Sequence, residues 1–164
     1  MIEFSVNINN YDKIKRALEY IDKELTDFTI PLKQSGVYML GSIDRNFRAQ
    51  GRPTSWTPLS PLTIARRRKG KGTGSMRILQ DTGRLKQSIT TETAMRMKDK
   101  NALGVGTSVP YARIHQYGGT QKLFNTNKMA KIPERPFLFF QEEDKTAIDS
   151  IFDKYLTNII KKFK

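Results

Sequence analysis

An α+β chain is predicted, with a small antiparallel sheet flanked by amphipathic helices and a long C-terminal helix. Three observations predict it. Apolar residues recur at spacings of three and four between 14 and 47 and again between 148 and 163, the period of helices with one buried face. Residues 88–107 hold two stretches of strand-forming residues around the polar turn Lys98-Asp-Lys-Asn101, which reads as a hairpin. Proline and glycine gather between the helical ends, in 51–61 and 118–136, where ordered turns must connect the elements.

In order, residues 2–8 (Ile-Glu-Phe-Ser-Val-Asn-Ile) alternate apolar and polar as a half-buried strand does. Asn9 or Asn10 can cap a first helix carrying Ile14, Leu18, Ile21, Leu25 and Phe28 on one face. Pro31 is expected to open a second helix to about Gln50, with Val37, Leu40, Ile43 and Phe47 buried. Two such helices in succession suggest a helical hairpin whose apolar faces are core or subunit seam. Gly51 to Thr63 holds three prolines and reads as an ordered turn, with Ser60-Pro61 capping a short helix through Arg68. Asp81 or Thr82 can cap a further turn, followed by strands over Ser88–Met97 and Ala102–Thr107. Pro110–Tyr117 is a short helix stopped by Gly118-Gly119, then a polar loop at 120–130 and an extended segment at 132–139. The final helix runs from Gln141 to Lys164, its stripe Ile148, Ile151, Phe152, Tyr155, Leu156, Ile159, Ile160 and Phe163, with acids at its start and lysines at its end.

Residues 1–164 read as a single domain. Its parts are an N-terminal strand and helical hairpin (1–50), an α+β core with a basic loop at 65–75 (51–140), and the C-terminal helix (141–164).

The net charge of +13 is concentrated in the middle of the chain. Residues 45–80 hold nine bases and no acid, whereas residues 1–44 hold five bases against seven acids. A field of that sign attracts polyanions and acidic surfaces and says nothing about fold. The peak is Ala65-Arg-Arg-Arg-Lys-Gly-Lys-Gly-Thr-Gly-Ser75. Arg66, Arg67, Arg68, Lys69 and Lys71 are assigned to a polyanion-facing loop, against the plainer reading of a solvated loop kept soluble by charge. On that assignment, neutralising Arg66, Arg67 and Arg68 is expected to leave the fold intact.

Composition excludes much chemistry. With no cysteine there is no disulfide, thiol nucleophile or cysteine zinc site, and the single histidine, His115, precludes a two-histidine metal centre. No Walker A loop and no Gly-x-Ser-x-Gly elbow occur. No acidic trio suggests a magnesium site. The longest apolar run, 137–140, is far below the roughly 20 residues that span a bilayer. No secretory signal is expected from the first six residues. Nothing here points to catalysis, a cofactor or a metal. His115 shares a helical face with Tyr111 and reads as structural, with a lone general base the alternative. Trp56 reads as a core anchor, with base stacking the alternative.

Several short motifs follow one another along the chain. Phe47 and Gly51 precede Trp56-Thr-Pro-Leu59, then come Thr63 and Arg66 to Arg68, Ile78-Leu-Gln-Asp-Thr-Gly-Arg-Leu85 with Ser88-Ile89, Val105-Gly-Thr107, Tyr111-Ala-Arg-Ile-His-Gln-Tyr-Gly-Gly119 and Ile132-Pro-Glu-Arg-Pro-Phe-Leu138. In this order they resemble the phage virion morphogenesis family, over about residues 36–140. The resemblance implies a non-enzymatic virion structural protein that acts late in assembly, at tail completion or the head–tail junction, as a neck or tail-terminator subunit. It further implies a homo-oligomeric ring, often six-fold, with other neck, tail or head-completion proteins as partners. Such a protein is made in the host bacterial cytoplasm and resides in the virion; nonspecific contact with genomic DNA in the channel suits the basic segment, and no membrane is involved. The residues assigned to assembly are Trp56, Pro58, Asp81, Gly83, Arg84, Tyr111, His115, Gly118, Gly119, Arg135, Pro136 and Phe137. The Gly70–Ser75 loop and the first 35 residues carry no motif of the family. Two rival readings remain: a monomeric, sequence-nonspecific nucleic-acid-binding protein, and a small nuclease using His115.

Overall fold

The computed structural model describes residues 11–70, 73, 75–122 and 127–162. The expected strand at 2–8, the cap at Asn9 or Asn10, Lys71 and Phe163 lie outside them. In chain order the elements are α1 (Tyr11–Leu25), α2 (Thr29–Ala49), α3 (Pro61–Arg68), α4 (Arg84–Thr90), a 3-10 turn (Glu92–Ala94), β1 (Met95–Asp99), β2 (Ala102–Val105), α5 (Ala112–Tyr117), β3 (Gly119–Lys122), β4 (Met129–Ile132) and α6 (Glu142–Lys161). The α+β class holds, with two separate antiparallel ribbons, β1–β2 and β3–β4, where one sheet was expected.

The molecule is organised around α2, which packs against α4, α6 and the β1–β2 ribbon. Leu40, Ile43 and Phe47 on this helix enter the core with Trp56, Ile78, Leu85, Ile89, Val109, Ala112 and Phe137. Val37, expected on the same face, is instead exposed. The face is rotated because Gly36 and Ser35 are buried there: a Cβ on Gly36 would lie 2.6 Å from Met95 Sδ and 3.1 Å from a Leu103 methyl. Absence of a side chain lets the ribbon sit directly on the helix. The helix also opens at Thr29, two residues before Pro31.

Two expectations fail for identifiable reasons. The first strand was placed over Ser88–Met97, yet residues up to Thr90 belong to α4 and Glu92–Ala94 form a turn. Leu85 and Ile89, one turn apart, are both buried, and Ser88 Oγ and Thr90 Oγ1 donate to the carbonyls of Leu85 and Lys86 at 2.8 and 2.9 Å. Burial of that pair outweighs the strand preference of the Ser, Ile and Thr residues. The segment 120–130, read as a loop, instead supplies β3 and β4, paired from Gly119↔Ile132 to Lys122↔Met129. β3 is exposed along its whole length, and β4 alternates over only four residues, with Ala130 and Ile132 partly buried.

The helical hairpin is also not formed as expected, since α1 packs on α6. Tyr155 Oη donates to the Asp27 carbonyl at 3.1 Å, and Lys162 Nζ donates to Tyr20 Oη at 2.8 Å. The α1 stripe is left open: Ile14, Leu18 and Leu25 are exposed.

The start of α6 is fixed by the carboxylate of Asp144, wholly buried, which accepts from Gln141 N at 2.9 Å and from Ser42 Oγ at 2.8 Å. One group thereby caps α6 and ties it to α2. Arg52 extends the tie, reaching Glu143 at 2.6 Å and Ser42 Oγ at 2.9 Å.

Candidate functional site

The proline-punctuated segment after α2 is anchored by Trp56. Its ring lies edge-on to Phe47 at 5.5 Å between centroids, and its Nε1 donates to the Pro136 carbonyl at 3.1 Å. Edge-to-face packing with the indole N–H satisfied is the favourable arrangement for a buried tryptophan. It brings residues 56–58 alongside 135–137, nearly 80 residues away in sequence.

Arg135 completes the junction. Its side chain is 6% exposed, and Nε and Nη2 donate to the carbonyls of Thr57 and Pro58 at 2.9 and 3.0 Å. Its own N–H donates to the His115 carbonyl at 2.7 Å. Three chain segments therefore meet on one residue. The guanidinium fork suits two adjacent carbonyls, which an ammonium could not span.

From this junction an open groove of about 750 Å³ extends between α3, α4, α5 and β4. Pro58, Leu59, Leu62 and Arg66 line one side; Asp81, Gly83, Arg84 and Leu85 a second; Tyr111, His115, Lys131, Ile132 and Arg135 the remainder. Residues scattered over four sequence motifs thus share one surface. Trp56, Pro136 and Phe137 lie outside the groove lining, while Gly118 and Gly119 border a shallower depression with Tyr117. At Gly118, φ is 70° and a Cβ would stand 2.9 Å from Glu134 N, so only glycine lets α5 turn into β3 here.

His115 is half-buried against Tyr111, ring centroids 5.9 Å apart and nearly perpendicular. Burial, then the charge of Arg135, pushes its pKa below the usual value of 6.5. Its Nδ1 is buried and makes no hydrogen bond. No serine or threonine hydroxyl is paired with its ring by any hydrogen bond between described residues. Among the described residues, no group of three His, Cys, Asp or Glu side chains could hold a metal ion.

The basic cluster divides three ways. Arg67, at 9% exposure, turns inward: Nη1 donates to the carbonyls of Ser75 and Arg77, the latter at 3.1 Å, and Nε lies 3.9 Å from Asp81. It is a structural clamp on the loop it was expected to expose. Neutralising it together with Arg66 and Arg68 would strand two carbonyls, so the expectation of an intact fold is withdrawn. Arg66 lines the groove, whereas Arg68 and Lys69 are exposed and lie outside its lining. Asp81 does not cap α4, whose N-cap is Gly83 at φ 75°. Its carboxylate instead accepts from Thr73 N at 3.1 Å and its carbonyl from Thr73 Oγ1, holding the loop.

Sequence reasoning missed the polar residues that set the register of 135–138. Gln116 Oε1 accepts from the N–H groups of Phe137 and Leu138, both at 3.1 Å, and its Nε2 donates to Leu138 O at 2.8 Å. Asn46 Nδ2 donates to Phe137 O at 3.2 Å while its Oδ1 accepts from Arg52. A polar residue on the apolar stripe of α2, between Ile43 and Phe47, was the available signal.

The groove can hold a chain segment: its surface is more apolar than polar, and Arg66, Arg84 and Lys131 are exposed and make no ion pair among the described residues. Residues 9–157 match the phage virion morphogenesis family. Over 162 residues, covering 98% of this chain and all of the relative, the chain is 36% identical to the Mu-like prophage FluMu G protein 2 of Haemophilus influenzae. Over 145 residues, covering 86% of this chain and 85% of the relative, it is 30% identical to the "Putative capsid assembly protein G" of Escherichia phage Mu. No solved structure matches it.

Proposed function

Since the chain belongs to the phage virion morphogenesis family and so has a role in phage assembly, we propose that it completes the tail or joins tail to head as one subunit of a homo-oligomeric ring. The observation that carries this reading is the convergence of four sequence motifs on one open groove. Arg135 and Arg67 on its wall are spent on holding backbone, its exposed cations are left for a partner, and among the described residues no hydrogen bond sets a nucleophile beside His115. Such a surface grips another chain and leaves chemistry aside. Within the ring, Arg68 and Lys69 face genomic DNA in the channel. Contact there is by charge alone, which suits a polymer that must pass whatever its sequence. Ring contacts of this kind are heterologous, with one patch of each subunit meeting a different patch of the next.

The test is depletion of the protein during phage growth. Heads and tails should accumulate unjoined, and supply of the wild-type chain should restore full particles. Joined, infectious particles formed without it would overturn the reading. An Arg68→Gln/Lys69→Gln variant should fold normally and lower particle yield at the DNA-filling or joining step.

A second reading, a monomeric nucleic-acid-binding protein, draws on the acid-free stretch 45–80. Light scattering separates the two. A discrete oligomer at low and high salt supports the ring; a monomer whose DNA affinity falls steeply with salt supports the rival.

A further inference from the structure

Immediately after the buried Phe137, two phenylalanines point outward. Phe139 is 47% exposed and Phe140 55% exposed. Residues this large are rarely left open side by side, and such patches mark contacts with other proteins. The first turn of α6 follows at once with Glu142 and Glu143, both exposed. Glu143 is already taken by Arg52 at 2.6 Å. Among the described residues Glu142 is held by Lys145 alone, an ion pair with both partners largely exposed and therefore easily exchanged. The result is an aromatic knob with one carboxylate available to a partner.

The groove is its complement. Leu62 on its wall is 64% exposed, Tyr111 lines the same groove and is also exposed, and Arg66, Arg84 and Lys131 supply cations without partners among the described residues. None of the groove's lining residues comes from 136–145, so knob and groove are separate surfaces. Each buried phenylalanine covers about 150–250 Å². With Phe139 and Phe140 each about half exposed, the two together offer about 150–250 Å², about a fifth to a third of the roughly 800 Å² per partner that a stable interface needs. Opposite charge at the rim supplies orientation.

We infer that the Phe139–Phe140 knob of one copy seats in the Leu62–Tyr111 groove of the next, with Glu142 against the groove's arginines. This rests on the ring reading above and names the contact that builds the ring. Because knob and groove differ, the contact is directional and repeats from copy to copy until the circle closes.

The test exploits a chain without cysteine. The full-length double variant Leu62→Cys/Phe140→Cys is oxidised mildly and run on a non-reducing gel, beside each single variant and the wild-type mass in solution and in particles. A ladder of covalent dimers, trimers and higher species from the double variant, with none from either single one, is the expected result. Wild-type oligomers without a ladder would overturn the contact while leaving the ring standing. Covalent dimers from Phe140→Cys alone would also overturn it, since like would then meet like. A wild-type chain that is monomeric both in solution and in particles would bring down ring and contact together. A second measurement covers loss of folding. Phe139→Ser/Phe140→Ser and Leu62→Glu should each weaken self-association at least tenfold with unchanged circular dichroism. Mixed, they should form dimers that stop there, through the one intact knob and the one intact groove.

Discussion

Removing the fork of Arg135 should loosen the junction that shapes the groove. In Arg135→Met the bonds to the Thr57 and Pro58 carbonyls, 2.9 and 3.0 Å, are lost while the buried stem is kept. Hydrogen bonds from a charged donor contribute about 1.5–3 kcal/mol each, a gross loss of about 3–6 kcal/mol. Two effects offset this. Thr57 and Pro58 are exposed residues, so water reaches part of the vacated carbonyls. Removing the cation also relieves its burial and its repulsion with Arg67, the two causes that lower the Arg135 pKa. A net loss of about 2–3 kcal/mol remains. For a chain of this size each kcal/mol moves Tm by about 2–4 °C, so the melt should fall by about 4–12 °C. Circular dichroism at fixed protein concentration measures it. Trp56, the sole tryptophan, bonds to Pro136 beside the altered residue and should shift its emission to the red at temperatures where the chain is still folded. Arg135→Lys should recover at most half of the loss, because an ammonium cannot span both carbonyls. A fall under about 2 °C with unchanged emission would refute the assignment of Arg135 as the clamp.

Two other outcomes follow from the same structure. His115, the one histidine, gives a single imidazole resonance, which should titrate below 6.5 because burial and then Arg135 disfavour its charged form. Its folded pKa being the lower one, the unfolded chain binds the proton first. Stability should therefore be full above about 6.5 and decline as pH falls toward the folded value. His115→Asn should flatten that decline, and Arg135→Met should raise the midpoint only partway, burial being the larger cause. At the start of α6, Asp144→Ala removes both the cap and the tie to Ser42, and should cost about 2–4 kcal/mol in urea unfolding. A double-mutant cycle with Ser42→Ala should return a coupling of about 1–2 kcal/mol, and additivity would count against the tie.

How much was legible depended on the range over which each residue finds its partner. Ser60-Pro61 was read correctly as a cap because its logic is local: Ser60 Oγ accepts from Thr63 N at 3.2 Å, three residues on. The hairpin turn near 100 and most of the α6 stripe were readable for the same reason, Ile160 being the described stripe residue left exposed. Val37 was misplaced because the rotation of α2 is decided by Met95 and Leu103 closing on Gly36, partners some 60 residues away. Ser88–Thr90 was read as strand because its residues favour one, whereas tertiary burial of Leu85 and Ile89 decides for helix. The β3–β4 ribbon was missed because Gly-Thr-Gln-Lys is exposed throughout and the half-buried alternation of Met-Ala-Lys-Ile, with Ala130 and Ile132 inward, covers only four residues.

The groove illustrates the same limit from the other side. Some of its residues, Pro58, Asp81, Gly83, Arg84, Tyr111, His115 and Arg135, stand in the motifs along the chain, whereas Leu62 and Lys131 do not. Arg135 was assigned to assembly from its motif alone, and the partners that explain its burial lie 77 and 78 residues earlier. Arg67 reads as one of three equivalent arginines, and only its reach to Ser75, Arg77 and Asp81 separates it from Arg66 and Arg68. In both cases the charge is used to hold backbone carbonyls that the irregular, proline-rich segments leave without ladder partners. Net charge therefore overstates what this molecule offers to a polyanion. Among the described residues, exposed cations that make no ion pair include Arg66, Arg84 and Lys131 in the groove, and Arg68, Lys69, Arg77 and Arg113 outside its lining. In the ring proposed above, a groove cation engaged by a neighbour's carboxylate would be neutralised toward the channel, and the cations outside the groove would be the ones left to meet DNA.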